Sequence, residues 1–288
     1  MKIAPLIIKL LKTFLLILLG LVLLAPIVLT VTNSFMTEQE IRMNYDALGK
    51  VAANADMFVN AKLIPDWVSL EQYRAVLVDT PAFLHMYWNS VLLAVPIIAG
   101  QALVASLAAY AFAKLRFRGR DKLFLVYLLT MLMPFQVTLV PNYIVIDKLG
   151  LMNNNAAIIL PGIFAAFGVF LLRQFMLHIP YSYIEAAKID GASQLRIFWS
   201  IILPMMKPAL AALVILLFVD NWNMVEQPLI FIQDAFKQPL SVFLARISEQ
   251  SRGIAFAASV VYMTPMLLLF LYAERFFIEG IQLSGVKG

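Results

Sequence analysis

Cysteine is absent from the chain, and histidine occurs only twice, as His85 and His178. Without thiols there is no disulfide, no thiolate nucleophile and no cysteine-ligated metal. Two histidines so far apart in sequence offer no histidine-rich metal site, and no H-E-x-x-H is present. Accordingly, no metal ligands and no catalytic residues are assigned. Charge is also scarce. Asp, Glu, Lys and Arg together make up 14% of the residues, where soluble proteins carry about 25%. A phosphate-cradling G-x-x-x-x-G-K-[ST] loop is missing: the single Gly49-Lys50 pair has Asn44 where the first glycine belongs. The chain is therefore expected to bind no cofactor of its own.

What the sequence does hold is apolar surface, 62% of its residues. It falls in blocks of the length that crosses a bilayer, about 20 residues per helix. We place six spans: Phe14 to Val31, Trp88 to Ala113, Leu123 to Val145, Ala156 to Met176, Pro208 to Ile232 and Ala255 to Ala273. The alternative count makes the third and fourth blocks re-entrant hairpins. The first block also starts as a signal peptide does, but its apolar run exceeds the usual h-region of about 7–15 residues. It is taken as a retained span.

The net charge of +5 comes from basic residues beside these blocks, a matter of membrane orientation rather than nucleic-acid binding. Lys114, Arg116, Arg118, Arg120 and Lys122 follow the second block. Arg173 lies in the last turn of the fourth block, and Lys188, Arg196 and Lys207 lie between it and the fifth. With Lys2, Lys9 and Lys12 they predict that these segments lie in the cytoplasm. The predicted fold is an all-α, polytopic membrane bundle of six helices with both termini cytoplasmic. Residues 1–33 form the N-terminus and first span, 34–87 an extracytoplasmic loop, 88–280 a core of five spans, and 281–288 a cytoplasmic tail. Within the core, 177–204 is the most informative loop.

That loop runs from His178-Ile179-Pro180 through Ser182, Glu185-Ala186-Ala187 and Asp190-Gly191-Ala192-Ser193 to Ile201-Ile202-Leu203-Pro204. Ser182 and Glu185 have capping-box spacing, Gly191 suits a left-handed helix stop, and Ser193 is placed to cap a second helix. Leu195, Phe198, Trp199 and Ile202 then share one face, and Pro204 is expected to end it. The pattern predicts a short helix, a sharp turn and an amphipathic helix on the cytoplasmic surface.

The same residues resemble the EAA motif of binding-protein-dependent ABC importer permeases: E-A-A, three residues, G, nine residues, I-x-L-P. Glu185, Ala186, Ala187, Gly191, Ile201, Leu203 and Pro204 fill every fixed position, and Asp190 matches the common D-G-A-S form. Beyond the motif, Pro134-Phe135-Gln136 through Pro141, Leu149-Gly150-Leu151, Trp222-Asn223 with Pro228-Leu229, and the ending Gly285-Val286-Lys287-Gly288 are similar to the carbohydrate branch, of maltose-permease type. Met224 departs from it, because many relatives carry an acidic residue there. The resemblance implies a carbohydrate importer subunit in a bacterial inner membrane. It also implies two separate ATPase subunits holding ATP and Mg, a second homologous permease and an extracytoplasmic solute-binding protein. Glu185, Ala186, Ala187, Asp190 and Gly191 would form the coupling helix that docks on the ATPase.

Asp220 and Glu226 are the conspicuous ionisable groups in the spans: such groups usually face a cavity or a partner, the alternative being that the outer half of this helix has already reached water. With Gln136, Asn142, Asn221, Trp222 and Asn223 they are the candidate substrate-pathway residues, because amides, carboxylates and aromatic faces suit sugar hydroxyls and rings. An oligosaccharide, a sugar derivative and a polyol phosphate all remain open as cargo. An ion-coupled secondary transporter is the alternative function, supported only by Asp220 and Glu226. A membrane enzyme finds no marked nucleophile.

Overall fold

The computed structural model describes residues 3–45, 62–246 and 252–285. Asp46, Lys50 and Asp56 of the 34–87 loop, and the closing Val286-Lys287-Gly288, lie outside them. All regular structure among the described residues is helical, with no strand. In chain order the helices are α1 (Ile3–Asn33), α2 (Glu38–Tyr45), α3 (Glu71–Arg74, widened into π turns over Ala75–Asp79), α4 (Pro81–Lys114), α5 (Arg120–Met131), α6 (Phe135–Lys148), α7 (Ala156–Ile163), α8 (Ala166–Leu177), α9 (Ser182–Ile189), α10 (Gln194–Met205), α11 (Lys207–Trp222), α12 (Glu226–Phe231), α13 (Leu240–Ala245) and α14 (Arg252–Gly285).

Four stretches are each long and apolar enough to cross a membrane alone: Ile8–Asn33, Pro81–Lys114, Ala156–Leu177 and Ile254–Glu274. Two more candidates are bent pairs, α5 with α6 at 99° and α10 with α11 at 76°. Counting each pair as one span gives six. The third predicted span is therefore not a straight helix. It breaks over Leu132–Pro134, because Pro134 holds an extended conformation (φ −65°, ψ 146°) at the N-cap of α6 and disfavours helical geometry in the residue before it. The fifth predicted span likewise stops at Trp222 and resumes at Glu226. At the other end of the chain α14 runs on to Gly285, into the segment predicted as a tail.

The contacts divide the chain into two units, Met1–Leu84 with Leu244–Thr264 and His85–Phe243 with Pro265–Gly288. In the first, α1 stands clear of the rest: Phe14, Leu16, Leu21 and Leu23 are all exposed, as lipid-facing side chains are. A polar clasp closes the segment that follows. The Gln72 amide donates to the carbonyls of Asn33 and Met36, both at 2.8 Å, and Ser34 and Tyr73 share a hydrogen bond of 2.7 Å. Glu40 accepts from the Asp66 amide at 2.8 Å and pairs with Lys62 at 3.2 Å. This is an ordered structure where the sequence showed only a polar loop.

The second unit packs by close approach. Helices in lipid gain little from hydrophobic burial and associate through small residues and hydrogen bonds. Along α4, Ile97, Gln101, Ala105 and Ala109 recur every fourth residue and are all buried. Ile97 meets Gly162 of α7, and Gln101 and Ala105 meet α8, where a Cβ at Gly168 would lie 2.9 Å from the Ala105 Cβ. Ala105 cannot swing aside, so hydrogen is the largest substituent the site accepts. On its other side the same position meets Leu213 of α11 at 3.5 Å. An apolar core of Leu93, Ile97, Ile146, Ala157, Ile158, Phe231 and Ile232 gathers α4, α6, α7 and α12.

Gly168→Val should therefore overpack the α4–α8 contact at a cost of about 1–3 kcal/mol. Thermal unfolding of the detergent-purified chain should show a lowered midpoint. Gly20→Val, at a position with nothing within 4 Å, should leave the midpoint unchanged.

Candidate functional site

Two sites take shape in the second unit: a projecting elbow and a cavity. The elbow is α9, a turn, and α10. The predicted capping box is not formed. Helix α9 starts at Ser182 itself, its N-cap is Tyr181 in a helical conformation, and no side chain caps it. The predicted stop at Gly191 is present in full. Gly191 has φ +78°. Its N–H donates to the Lys188 carbonyl at 3.0 Å, and the Ala192 N–H donates to that of Ala187 at 2.9 Å. This is the paired bonding of a Schellman turn. A Cβ on Gly191 would touch nothing within 4 Å, so backbone handedness, not space, calls for glycine. Ser193 then caps α10 as expected, accepting from the Arg196 N–H at 3.3 Å.

The chain does not stop at Pro204. It widens into π turns over Phe198–Ile202 and continues to Met205 before bending. A π turn accommodates a following proline, whose missing N–H leaves one fewer helical bond to make.

The EAA residues divide between two faces. Ile184 (1% exposed) and Ala187 (7%) point inward, whereas Glu185, Ala186, Lys188 and Asp190 are exposed and Ile189 reaches 87%. Ala187 thus packs the elbow against its own chain, and Ala186 lies on the free side with Ile189 and Asp190. Leu195 and Trp199 of α10 are exposed too, and Ile197, Phe198 and Ile202 are buried.

The elbow's anchors were not legible in the sequence. Tyr110 Oη donates to Gln194 Oε1 at 2.8 Å, and its ring packs 5.4 Å from that of Phe198. Lys114 Nζ, buried, donates to the Ile179 carbonyl at 2.6 Å. Arg116 and Lys188 both lie near the Tyr181 ring, at 5.9 and 5.7 Å from its centroid. The end of α4 therefore holds both arms of the elbow. Lys114 counted in the sequence only as an orienting charge.

The cavity occupies about 980 Å³. Asn142, Asp220, Asn221, Asn223 and Glu226, all expected in the pathway, line it together with Gln101 and Gln227. Gln136 is not part of the lining, and its amide donates to Glu226 Oε2 at 3.5 Å. Trp222 lies apart: 2% exposed, it stacks on Phe218 (5.1 Å, 17°) and meets Tyr87 edge-on at 5.6 Å. In this structure it belongs to the packing beneath the cavity.

Gln101 escaped the sequence reading because it sits in an apolar helix beside small residues. Its amide donates to the Ala165 carbonyl at 3.2 Å, and Tyr127 Oη donates to that of Phe164 at 3.3 Å. Phe164 and Ala165 are the break between α7 and α8, where the helix leaves its carbonyls unpaired. Among the described residues no group of three or more His, Asp or Glu side chains is placed to hold a metal.

A helical membrane bundle with a Schellman-stopped elbow and a polar cavity between its spans has the architecture of a membrane transport component. A family model described as "binding-protein-dependent transport system inner membrane component" matches residues 84–277, and the chain belongs to that family. It is a multi-pass protein of the bacterial plasma membrane. The chain is 34% identical over 227 residues to the arabinooligosaccharides transport system permease protein AraQ of Halalkalibacterium halodurans, covering 78% of this chain and 81% of the relative. It is 33% identical over 213 residues to the lactose transport system permease protein LacG of Rhizobium radiobacter, covering 73% and 77%. To the sn-glycerol-3-phosphate transport system permease protein UgpE of Pectobacterium atrosepticum it is 34% identical over 208 residues, covering 70% and 74%. A solved bacterial ABC transporter chain, from a system that imports the acidic polysaccharide alginate, shares the fold with a TM-score of 0.79 at 24% identity, over 94% of this chain and 96% of that one. None of these comparisons supports the ion-coupled alternative.

Replacing Lys114 by Met should remove a charge-assisted bond and loosen the elbow by about 1.5–3 kcal/mol. Hydrogen exchange should then speed up at the amides of Ser182–Met205 and remain unchanged along α8.

Proposed function

We propose that the chain is the membrane-spanning partner of a separate ATPase in a carbohydrate importer, and that Glu185, Ala186, Ala187, Asp190 and Gly191 form its coupling element. The observation that carries this is the elbow. It is held at both arms by Tyr110 and Lys114, yet it presents Ile189, Leu195 and Trp199 uncovered. Apolar side chains on a rigid projection suit insertion into a cleft of a partner protein. Ala186 on the free side keeps the approach close. Ala187 acts from behind, seating the helix on its own chain.

In this reading two ATPase subunits close on ATP and Mg and drag their elbows inward. The movement passes through the Tyr110 and Lys114 anchors to α4 as a rigid-body displacement. A second homologous permease completes the pathway, and an extracytoplasmic binding protein delivers the solute. The cavity with Asn142, Asp220, Asn221, Asn223 and Glu226 is this chain's share of the pathway, with Gln136 supporting Glu226. A carbohydrate cargo rests on the names of the relatives, which include oligosaccharide, lactose and glycerol-phosphate systems.

Gly191→Val forces a β-branched side chain into the left-handed region, a strain of about 1–3 kcal/mol. Solute uptake and solute-stimulated ATP hydrolysis by the assembled importer should both collapse, with normal amounts of chain in the membrane. Gly191→Asn, which tolerates that conformation, should retain most activity. Full uptake by the valine variant would refute the coupling role. In the cysteine-free background, Ser193→Cys should react with a membrane-impermeant maleimide only in inside-out vesicles, and Trp67→Cys only in right-side-out ones.

A further inference from the structure

The charge of the cavity narrows the cargo, an inference that rests on the import reading. Asp220 and Glu226 supply two carboxylates to the lining, and the amides of Gln101, Asn142, Asn221 and Gln227 supply neutral donors and acceptors. Among the described residues no lysine, arginine or histidine lines the cavity, and none pairs with either carboxylate. The backbone amide that opens α7, beside the lining residue Ala157, is already occupied: Ala156 N–H donates to Asn154 Oδ1 at 2.9 Å.

A phosphate or uronate entering this space meets two negative charges and no guanidinium or ammonium to receive it, the groups that normally bind such anions. Two like charges on one wall bias which solutes gather in this space. A sugar hydroxyl, by contrast, can donate to either carboxylate and exchange bonds with the amides. Phe135, Phe167 and Phe231 add apolar faces to the same lining, which suit the C–H faces of a pyranose or furanose ring.

We infer that this cavity passes uncharged, hydroxyl-rich saccharides and turns away phosphorylated polyols and uronates, with Asp220 and Glu226 as the residues that set the selection. Of the cargoes that the sequence left open, the polyol phosphate is thereby disfavoured.

Two measurements on the assembled importer test this. The first reads the field in the cavity. Val219→Cys places a thiol in the lining of a chain that otherwise has none. It is treated with methanethiosulfonate reagents of similar size, one a trimethylammonium and one a sulfonate. The cationic-to-anionic rate ratio should exceed that of a small free thiol by about tenfold or more, and Asp220→Asn with Glu226→Gln should return it to the free-thiol value. The second compares uptake of a neutral disaccharide series with uptake of uronate-bearing disaccharides and of glycerol phosphate; only neutral sugars should accumulate. A rate ratio no higher than that of a free thiol, or anion uptake matching that of neutral sugar, would overturn the selection and leave the import reading standing. An assembly that hydrolyses ATP yet carries none of these solutes would overturn both.

Discussion

Inside a bilayer every backbone N–H and C=O has to find its partner within the protein, since lipid offers none. That single requirement organises this molecule. A continuous helix meets it automatically, and α1 and α4 are such helices. Breaks in a helix meet it only with help, and here they come at Leu132–Pro134, Phe164–Ala165 and Asn223–Val225. At the second break the help is visible: Gln101 and Tyr127 reach across from α4 and α5 to the freed carbonyls. Phe135, Ala165, Asn223 and Val225 all line the cavity. The discontinuities are therefore what open a polar space among apolar spans. Backbone exposed by each break becomes part of the wall, and side chains recruited to satisfy it, such as Gln101, become part of the lining.

In the proposed coupling role the elbow faces a different problem, that of transmitting force through a short peptide. A loop of flexible residues would absorb a push. Here the turn is fixed by paired Schellman bonds at Gly191, its second arm is capped by Ser193, and both arms are fastened to the end of α4. The inward face of α9, with Ile184 and Ala187, is buried. The outward face remains for a partner. This two-sidedness gives the adjacent alanines of the Glu185-Ala186-Ala187 run distinct duties, one toward the chain and one away from it.

Much of this was legible from the sequence, for reasons that differ by region. Apolar block length revealed the spans, because bilayer thickness sets a coarse ruler that propensity cannot override. The elbow was legible because Gly191 and Ser193 are local devices whose geometry depends on neighbours within five residues. The Ser182–Glu185 capping box failed because the preceding turn at Tyr181 is already helical, which leaves Ser182 inside the helix with no orphan amide to meet. The bends in the third and fifth spans were missed because hydropathy is blind to direction. Trp222 was placed in the pathway on side-chain chemistry alone, yet its position on α11 turns it toward Phe218 and Tyr87. Long-range partners such as Tyr110–Gln194, 84 positions apart, leave no local trace.

The empty surroundings of Gly191 have a stereochemical consequence. Nothing approaches the point where a side chain would project, so the obstacle to larger residues is the hand of the L-amino acid and not crowding. A mirror-image residue favours positive φ, as glycine merely permits it. A D-alanine spliced in by chemical ligation would take that positive φ without backbone strain and, by restricting the unfolded chain, would make the turn more persistent than the natural one. At this corner of the protein, chirality is the selected property and side-chain volume is free.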